Sequence, residues 1–158
     1  VAPGAVFLTH LHFDHIGGLI DLPVTTAVYI GPGDAEARSP VNSLLGHPAD
    51  AILAGFGPLR EWAFQPDPDG AFAGVLDVFG DGSVWALRVP GHSAGSTAYL
   101  VNAVDGPKLV VGMPQPVPAA ARADAEASAD RLRRFAAAHP AVEVFLGHQS
   151  RTGQTAPR

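Results

Sequence analysis

His10, His12, Asp14 and His15 fall within six consecutive residues, His10-Leu11-His12-Phe13-Asp14-His15. Imidazole and carboxylate suit borderline cations such as zinc, and the chain has no cysteine to offer a thiolate instead. The spacing matters as much as the residue types. His10 and His12 are two apart, so on an extended backbone they point the same way. Asp14 and His15 follow after a bend and can face a second ion. One loop can thus offer two ligands to each of two cations. At a separation of roughly 3.5–4 Å, two such ions can share a bridging hydroxide, because metal binding lowers the pKa of water to about 7. A chance cluster of surface histidines is the plainer alternative. Four candidate ligands directly after an apolar strand and before Gly17-Gly18 weigh against it.

The elements that must carry this loop are legible in outline. Ala5 to Thr9 reads as a short buried strand that ends in the cluster. Thr26 to Ile30 is a second strand, closed by Gly31-Pro32-Gly33. Residues 33 to 57 are partly helical in pattern, with breaks expected at Pro40 and Pro48. Leu59 to Phe64 and Val75 to Phe79 look like strands, with the loop Gln65-Pro66-Asp67-Pro68-Asp69-Gly70 between them. A hairpin-like series follows: Ser83 to Val89, Thr97 to Val101 and Lys108 to Val111, the last two joined by a turn at Asp105-Gly106-Pro107. Ala123 to His139 is the clearest helix, with Asp124 and Glu126 in its first turn and Pro140 ending it. Val142 to Leu146 is a final strand that runs into Gly147-His148. Strands alternating with helices make this an α/β chain. Five of its seven histidines, His10, His12, His15, His92 and His148, lie just after expected strands, where rigid scaffolds place functional groups. His47 and His139 sit beside Pro48 and Pro140 and read as surface residues.

The first loop resembles the H-x-H-x-D-H signature of the metallo-β-lactamase superfamily. Pro90-Gly91-His92-Ser93-Ala94-Gly95-Ser96 is similar to that family's P-G-H-[ST]-x-G-[ST] segment, and Phe145-Leu146-Gly147-His148 to its final strand and G-H. The resemblance runs from about Val6 to Gln149. It implies an αββα sandwich, and a pair of divalent metal ions, Zn2+ ahead of Fe or Mn. It places His10, His12 and His92 on the first metal, and Asp14, His15 and His148 on the second. Asp14 is then also the catalytic residue that orients a metal-bound hydroxide and moves protons during attack on a lactone or ester carbonyl. β-Lactam, thioester and phosphodiester substrates are the alternatives that the same motifs leave open.

Two features depart from the family pattern. Relatives usually carry an Asp that bridges both metals at the end of the strand corresponding to Leu109 to Gly112, and here Met113 stands in its place. A thioether is neutral and a poor ligand for divalent zinc. A degenerate member that binds metal weakly and turns over little is therefore the second reading. Only one strand precedes the metal loop, where the family has several. The implied sandwich is thus expected to be incomplete at its N-terminal side, a single partial domain spanning residues 1–158.

Bulk properties fit this picture. The hydrophobic content of 47% and charged content of 16% are those of a globular chain with a core. The net charge of −5 and the absence of a basic stripe argue against a nucleic-acid partner; Arg131, Arg133 and Arg134 read as a solvated helix face. No apolar run approaches the roughly 18 residues that a membrane span requires. A cytoplasmic protein acting on a small-molecule substrate is the expectation.

Overall fold

In the computed structural model, which describes residues 3–36, 48–112 and 119–148 (Pro48 and Ala119 by backbone alone), side-chain alternation sorts the strands into two stacked sheets. β1 (Ala5–Phe7) pairs in parallel with β2 (Ala27–Ile30), which pairs in parallel with β3 (Arg60–Glu61). Val6, Leu8, Val28 and Ile30 face one way and pack with Ile16, Leu19, Ala49 and Ile52. These last residues come from the short helix α1 (Phe13–Ile16), the 3-10 turn Gly17–Asp21 and the helix α2 (Pro48–Leu53). Phe7 and Tyr29 face the other way, against Trp62, Ala86 and Tyr99. Period-2 burial of β-branched and aromatic residues is what makes a strand with two covered faces.

The second sheet is ordered β4-β5-β6-β7-β8. β4 (Val75–Asp77), β5 (Val84–Arg88), β6 (Thr97–Ala103) and β7 (Gly106–Val111) form an antiparallel meander. β8 (Glu143–Leu146) joins it in parallel, after the crossover helix α3 (Arg122–Ala138). Ala86 and Tyr99 point toward the first sheet, while Leu87, Val89, Ala98, Leu109 and Val111 point toward α3, which contributes Leu132 and Phe135. The layers therefore run helix, sheet, sheet, helix, which is the αββα sandwich. No helix among the described residues is long and apolar enough to cross a membrane.

Several boundaries differ from the sequence reading, each for a physical reason. Pro48 opens α2 instead of breaking a helix, because the first turn of a helix has no use for the missing N–H. Residues 37–47, including Pro40 and His47, lie outside the described residues. The strand expected over Leu59 to Phe64 shrinks to Arg60–Glu61, since β2, its only strand neighbour among the described residues, ends at Ile30; the bond from Trp62 N–H to Ile30 O (2.9 Å) is the last between them. The hairpin between β6 and β7 turns at Val104-Asp105, one step earlier than expected, on Gly106 at φ +117°. Arg133 and Arg134 have side chains 72% and 70% exposed and pair with Asp130, a solvated face as expected.

A buried hydrogen-bond relay ties the sheets together just below the end of β1. Trp62 Nε1–H donates to Tyr99 Oη (2.9 Å), and Tyr99 O–H donates to Leu8 O (2.8 Å). Burial pushes the Tyr99 phenol above its usual range, so it stays a donor. One residue on, Thr97 N–H bonds Thr9 O at 2.9 Å. The backbone leaving β1 is thus fixed to both sheets immediately before the first histidine.

Candidate metal centre

With Thr9 held by β6, His10 enters the interior and is 1% exposed. Its Nδ1 lies 3.1 Å from Thr9 Oγ1. Its Nε2 is buried and has no hydrogen-bond partner among the described residues. A buried polar atom left in this way costs about 1–3 kcal/mol unless something fills the place, and an imidazole nitrogen with a free lone pair is a metal ligand in waiting. His12 is still extended (φ −68°, ψ 141°) and caps α1, whose first closure is His15 N–H to His12 O at 2.9 Å. That bend turns Asp14 and His15 away from the His10–His12 direction.

His92 arrives from the loop between β5 and β6. Gly91 sits at φ +131°, and a Cβ there would lie 2.3 Å from the backbone of Ala125 on α3. Only glycine lets this helix press on the loop. Ser93 N–H donates to Ser96 Oγ (2.9 Å), and Ser128 of α3 caps Pro90 O (2.7 Å), so the loop is held from both ends. His148 follows β8 at φ +61°, the one described residue other than glycine in the left-handed region.

All six histidine and aspartate positions singled out above come together, in two adjoining groups. The ligand atoms of His10, His12 and His92 lie within 4.8 Å of one another, as do those of Asp14, His15 and His148. In the first group His12 Nδ1 and His92 Nε2 are 2.9 Å apart. In the second, His148 Nε2 lies 3.0 Å from His15 Nε2 and 3.0 Å from Asp14 Oδ2. Two nitrogens on a tetrahedral zinc, with bonds of about 2.0–2.1 Å, stand about 3.3 Å apart, so these separations suit shared cations. The groups touch through His10 and His15, whose ring centres are 4.1 Å apart. His139 takes no part; it is exposed and its ring lies tilted against Phe135, with centroids 4.5 Å apart. Met113 lies outside the described residues.

Burial favours the neutral, ligating form of His10, His12 and His15. Burial, then the neighbouring rings of His15, His12, His92 and His148, push His10 down to about 2. Burial also lowers His12, with His92 adding to it and Asp14 and Asp34 opposing. His15 is lowered by burial against the opposing pull of Asp14. A pH dependence follows. From its ordinary value of 6.5 down to about 2, His10 is protonated in the unfolded chain and not in the folded one. The unfolded state therefore binds more protons in that window, and metal-free stability falls as pH drops below about 6.5. The slope is up to about 1.4 kcal/mol per pH unit for this proton. Denaturant midpoints of the metal-free protein between about pH 7.5 and 4.5 measure it. A midpoint that holds level or rises on acidification contradicts it.

One buried acidic residue of the site escaped the sequence reading. Asp34, 4% exposed, directs its carboxylate at the backbone of both histidine loops. The available signal was its place directly after the Gly31-Pro32-Gly33 turn at the end of β2.

The sequence profile of the metallo-beta-lactamase superfamily matches residues 2–148. A metallo-hydrolase, mfmC, of Annulohypoxylon moriforme is 35% identical over 101 residues, covering 63% of this chain and 26% of its own length. The gamma-lactamase MBL2 of Gibberella moniliformis is 33% identical over 109 residues, covering 66% of this chain and 45% of its own. Among solved structures, a quorum-quenching N-acyl homoserine lactone hydrolase superposes with a TM-score of 0.65 at 18% identity, covering 98% of this chain and 61% of that one. This chain thus spans about a quarter to a half of the length of these two curated relatives.

Proposed function

Given that this chain belongs to the metallo-beta-lactamase superfamily, we propose that it is a metal-dependent hydrolase that opens a lactone or a related carboxylic ester. His10, His12 and His92 would hold one divalent cation and Asp14, His15 and His148 the other. Zn2+ is the best match to five imidazoles and one carboxylate; Fe and Mn also accept such donors. The observation that carries the reading is the buried Nε2 of His10, which has no hydrogen-bond partner among the described residues and is walled by the rings of His12, His15 and His92. The carbonyl preference draws support from the gamma-lactamase and the lactone hydrolase, whose names both specify a cyclic acyl compound.

When bound, a cation pair supplies a water that is acidic near neutral pH and a Lewis acid for the carbonyl oxygen. The protein's own groups do the rest. Burial disfavours protonation of His10, His12 and His15, which keeps these three imidazoles available as donors. The Asp14 side chain is 34% exposed beside the 50%-exposed His148, so it can reach both a water and a substrate at the mouth of the site. Adding water to the acyl carbon releases a proton, and breaking the C–O bond leaves an alkoxide that needs one. Asp14 is placed to take the first and deliver the second. The test is a panel of γ-lactones, simple esters and γ-lactams, run before and after chelation. Chelation should abolish hydrolysis and added Zn2+ should restore it. Activity indifferent to chelation would sink the proposal.

A second reading, metal binding without turnover, is favoured by one residue. Met113 stands where relatives carry a bridging carboxylate, and without that charge two cations repel each other more strongly. The substitution Met113→Asp should tighten the second ion's binding, read as metal content after dialysis against a weak chelator. Hydrolysis that appears only in this variant would establish the second reading; comparable hydrolysis by the unsubstituted chain would exclude it.

A further inference from the structure

We propose that Asp34 is a positioning residue that locks the His10–His12 loop to the His92 loop and places a buried negative charge beside the all-imidazole group. This inference rests on the metal reading above. The carboxylate spans two loops distant in sequence. Its Oδ2 accepts Leu11 N–H at 2.8 Å, and Leu11 lies between the two histidines of the first loop. Its Oδ1 accepts Gly95 N–H at 3.1 Å, three residues past His92. Each oxygen therefore fixes one strand-end loop, and the distance between the loops is set by the width of a carboxylate.

The surroundings are built for this residue. A Cβ at Gly95 would lie 2.6 Å from Asp34 Cβ and 2.3 Å from Gly31 O, and one at Gly31 would lie 1.8 Å from Gly95 O. The turn that carries Asp34 and the His92 loop thus meet backbone to backbone, close enough for a side chain as short as aspartate to reach across. An asparagine would turn an N–H2 toward one of the two N–H donors, and a glutamate would need a methylene of extra room. Among the described residues no Lys or Arg pairs with Asp34, although it is 4% exposed. A buried carboxylate is costly without compensation, and two backbone N–H bonds supply part of it. The neighbouring group of His10, His12 and His92 contains no anion of its own, so a cation there would gain from Asp34 and Asp34 from the cation.

The experiment isolates each group. In a His148→Ala background the second group is incomplete, and in a His12→Ala background the first is. Zn2+ affinity is measured in both backgrounds with and without Asp34→Asn, by competition with a chromogenic chelator, alongside the metal-free unfolding midpoint. The clamp predicts roughly ten- to hundredfold weaker Zn2+ binding in the His148→Ala background, the usual range for groups that orient ligands. It predicts little change in the His12→Ala background. Restoring the charge with Asp34→Glu should recover only part of the loss, because the two N–H bonds are not both remade. This variant carries the comparison if Asp34→Asn proves too unstable to purify. Equal weakening in both backgrounds would mark Asp34 as a general structural residue and overturn the proposal, and so would no weakening in either. An unsubstituted chain that binds no Zn2+ would overturn the metal reading itself, and the clamp with it.

Discussion

On the proposed function, Asp14→Asn is expected to lower kcat/KM for lactone or ester hydrolysis by about 10²–10⁴-fold, the range for loss of a positioned proton-transfer group. The substitution keeps the size of the side chain and removes its charge and its ability to carry a proton. Asp14 Oδ2 stands 3.0 Å from His148 Nε2 and 3.5 Å from His15 Nε2, so an amide there still occupies the ligand position but binds a cation more weakly. Two effects then superimpose, and they separate experimentally. If kcat falls at saturating Zn2+, the proton role is lost; if excess metal recovers most of the rate, ligation was the larger part. A variant within about threefold of the unsubstituted rate would remove Asp14 from the account.

Gly147→Ala dismantles the second group without touching a ligand. The added Cβ would fall 1.8 Å from Gly112 O and 3.2 Å from His15 Cε1. Neither neighbour can yield cheaply. Gly112 directly follows β7, and a Cβ built on Gly112 would itself lie 2.5 Å from Thr9 Oγ1, so the exits of β1, β7 and β8 crowd together here. Gly147 N–H also bonds Val111 O at 2.9 Å. Relieving the clash means moving the β8 exit away, and His148 moves with it. His148 already sits at φ +61°, a conformation costing roughly 1–2 kcal/mol for a residue with a side chain, and it persists only while its surroundings hold it. The expected result is a loss of about 1–3 kcal/mol of stability together with loss of the second ion. Urea unfolding and metal content on the same preparation check both. A variant of unchanged stability that retains its full metal content contradicts the packing argument.

Much of this site could be read from the chain because its ligands are local in sequence. His10 to His15 sit in one loop, and their spacing already separates them into two pairs before any fold is known. His92 and His148 needed the resemblance to be grouped with them, since nothing in the spacing of residues 80 and 133 positions apart brings them together. Strands with alternating burial, such as β2, were legible for the same local reason, and so was α3, which has acidic residues at its start and a proline after its end. What was not legible depends on contacts between distant segments. Asp34 looks like a turn residue until Leu11 and Gly95 are both seen against it. β3 is short because its partner runs out, a fact about β2 and not about residues 59–64. Pro48 breaks or begins a helix according to what precedes it. Gly31, Gly95 and Gly147 give no sign in the sequence that each stands where another backbone approaches too closely for a Cβ.

Whether the two adjoining groups each hold a cation is read from the metal content per chain. Protein purified without chelator, in buffer supplemented with Zn2+ and then desalted, is assayed by elemental analysis, with folding verified by circular dichroism. The account predicts about two equivalents per chain, falling to about one in His148→Ala and about one in His12→Ala. One equivalent in the unsubstituted chain would contradict the paired centre, and a folded sample without bound metal would contradict the metallohydrolase reading altogether.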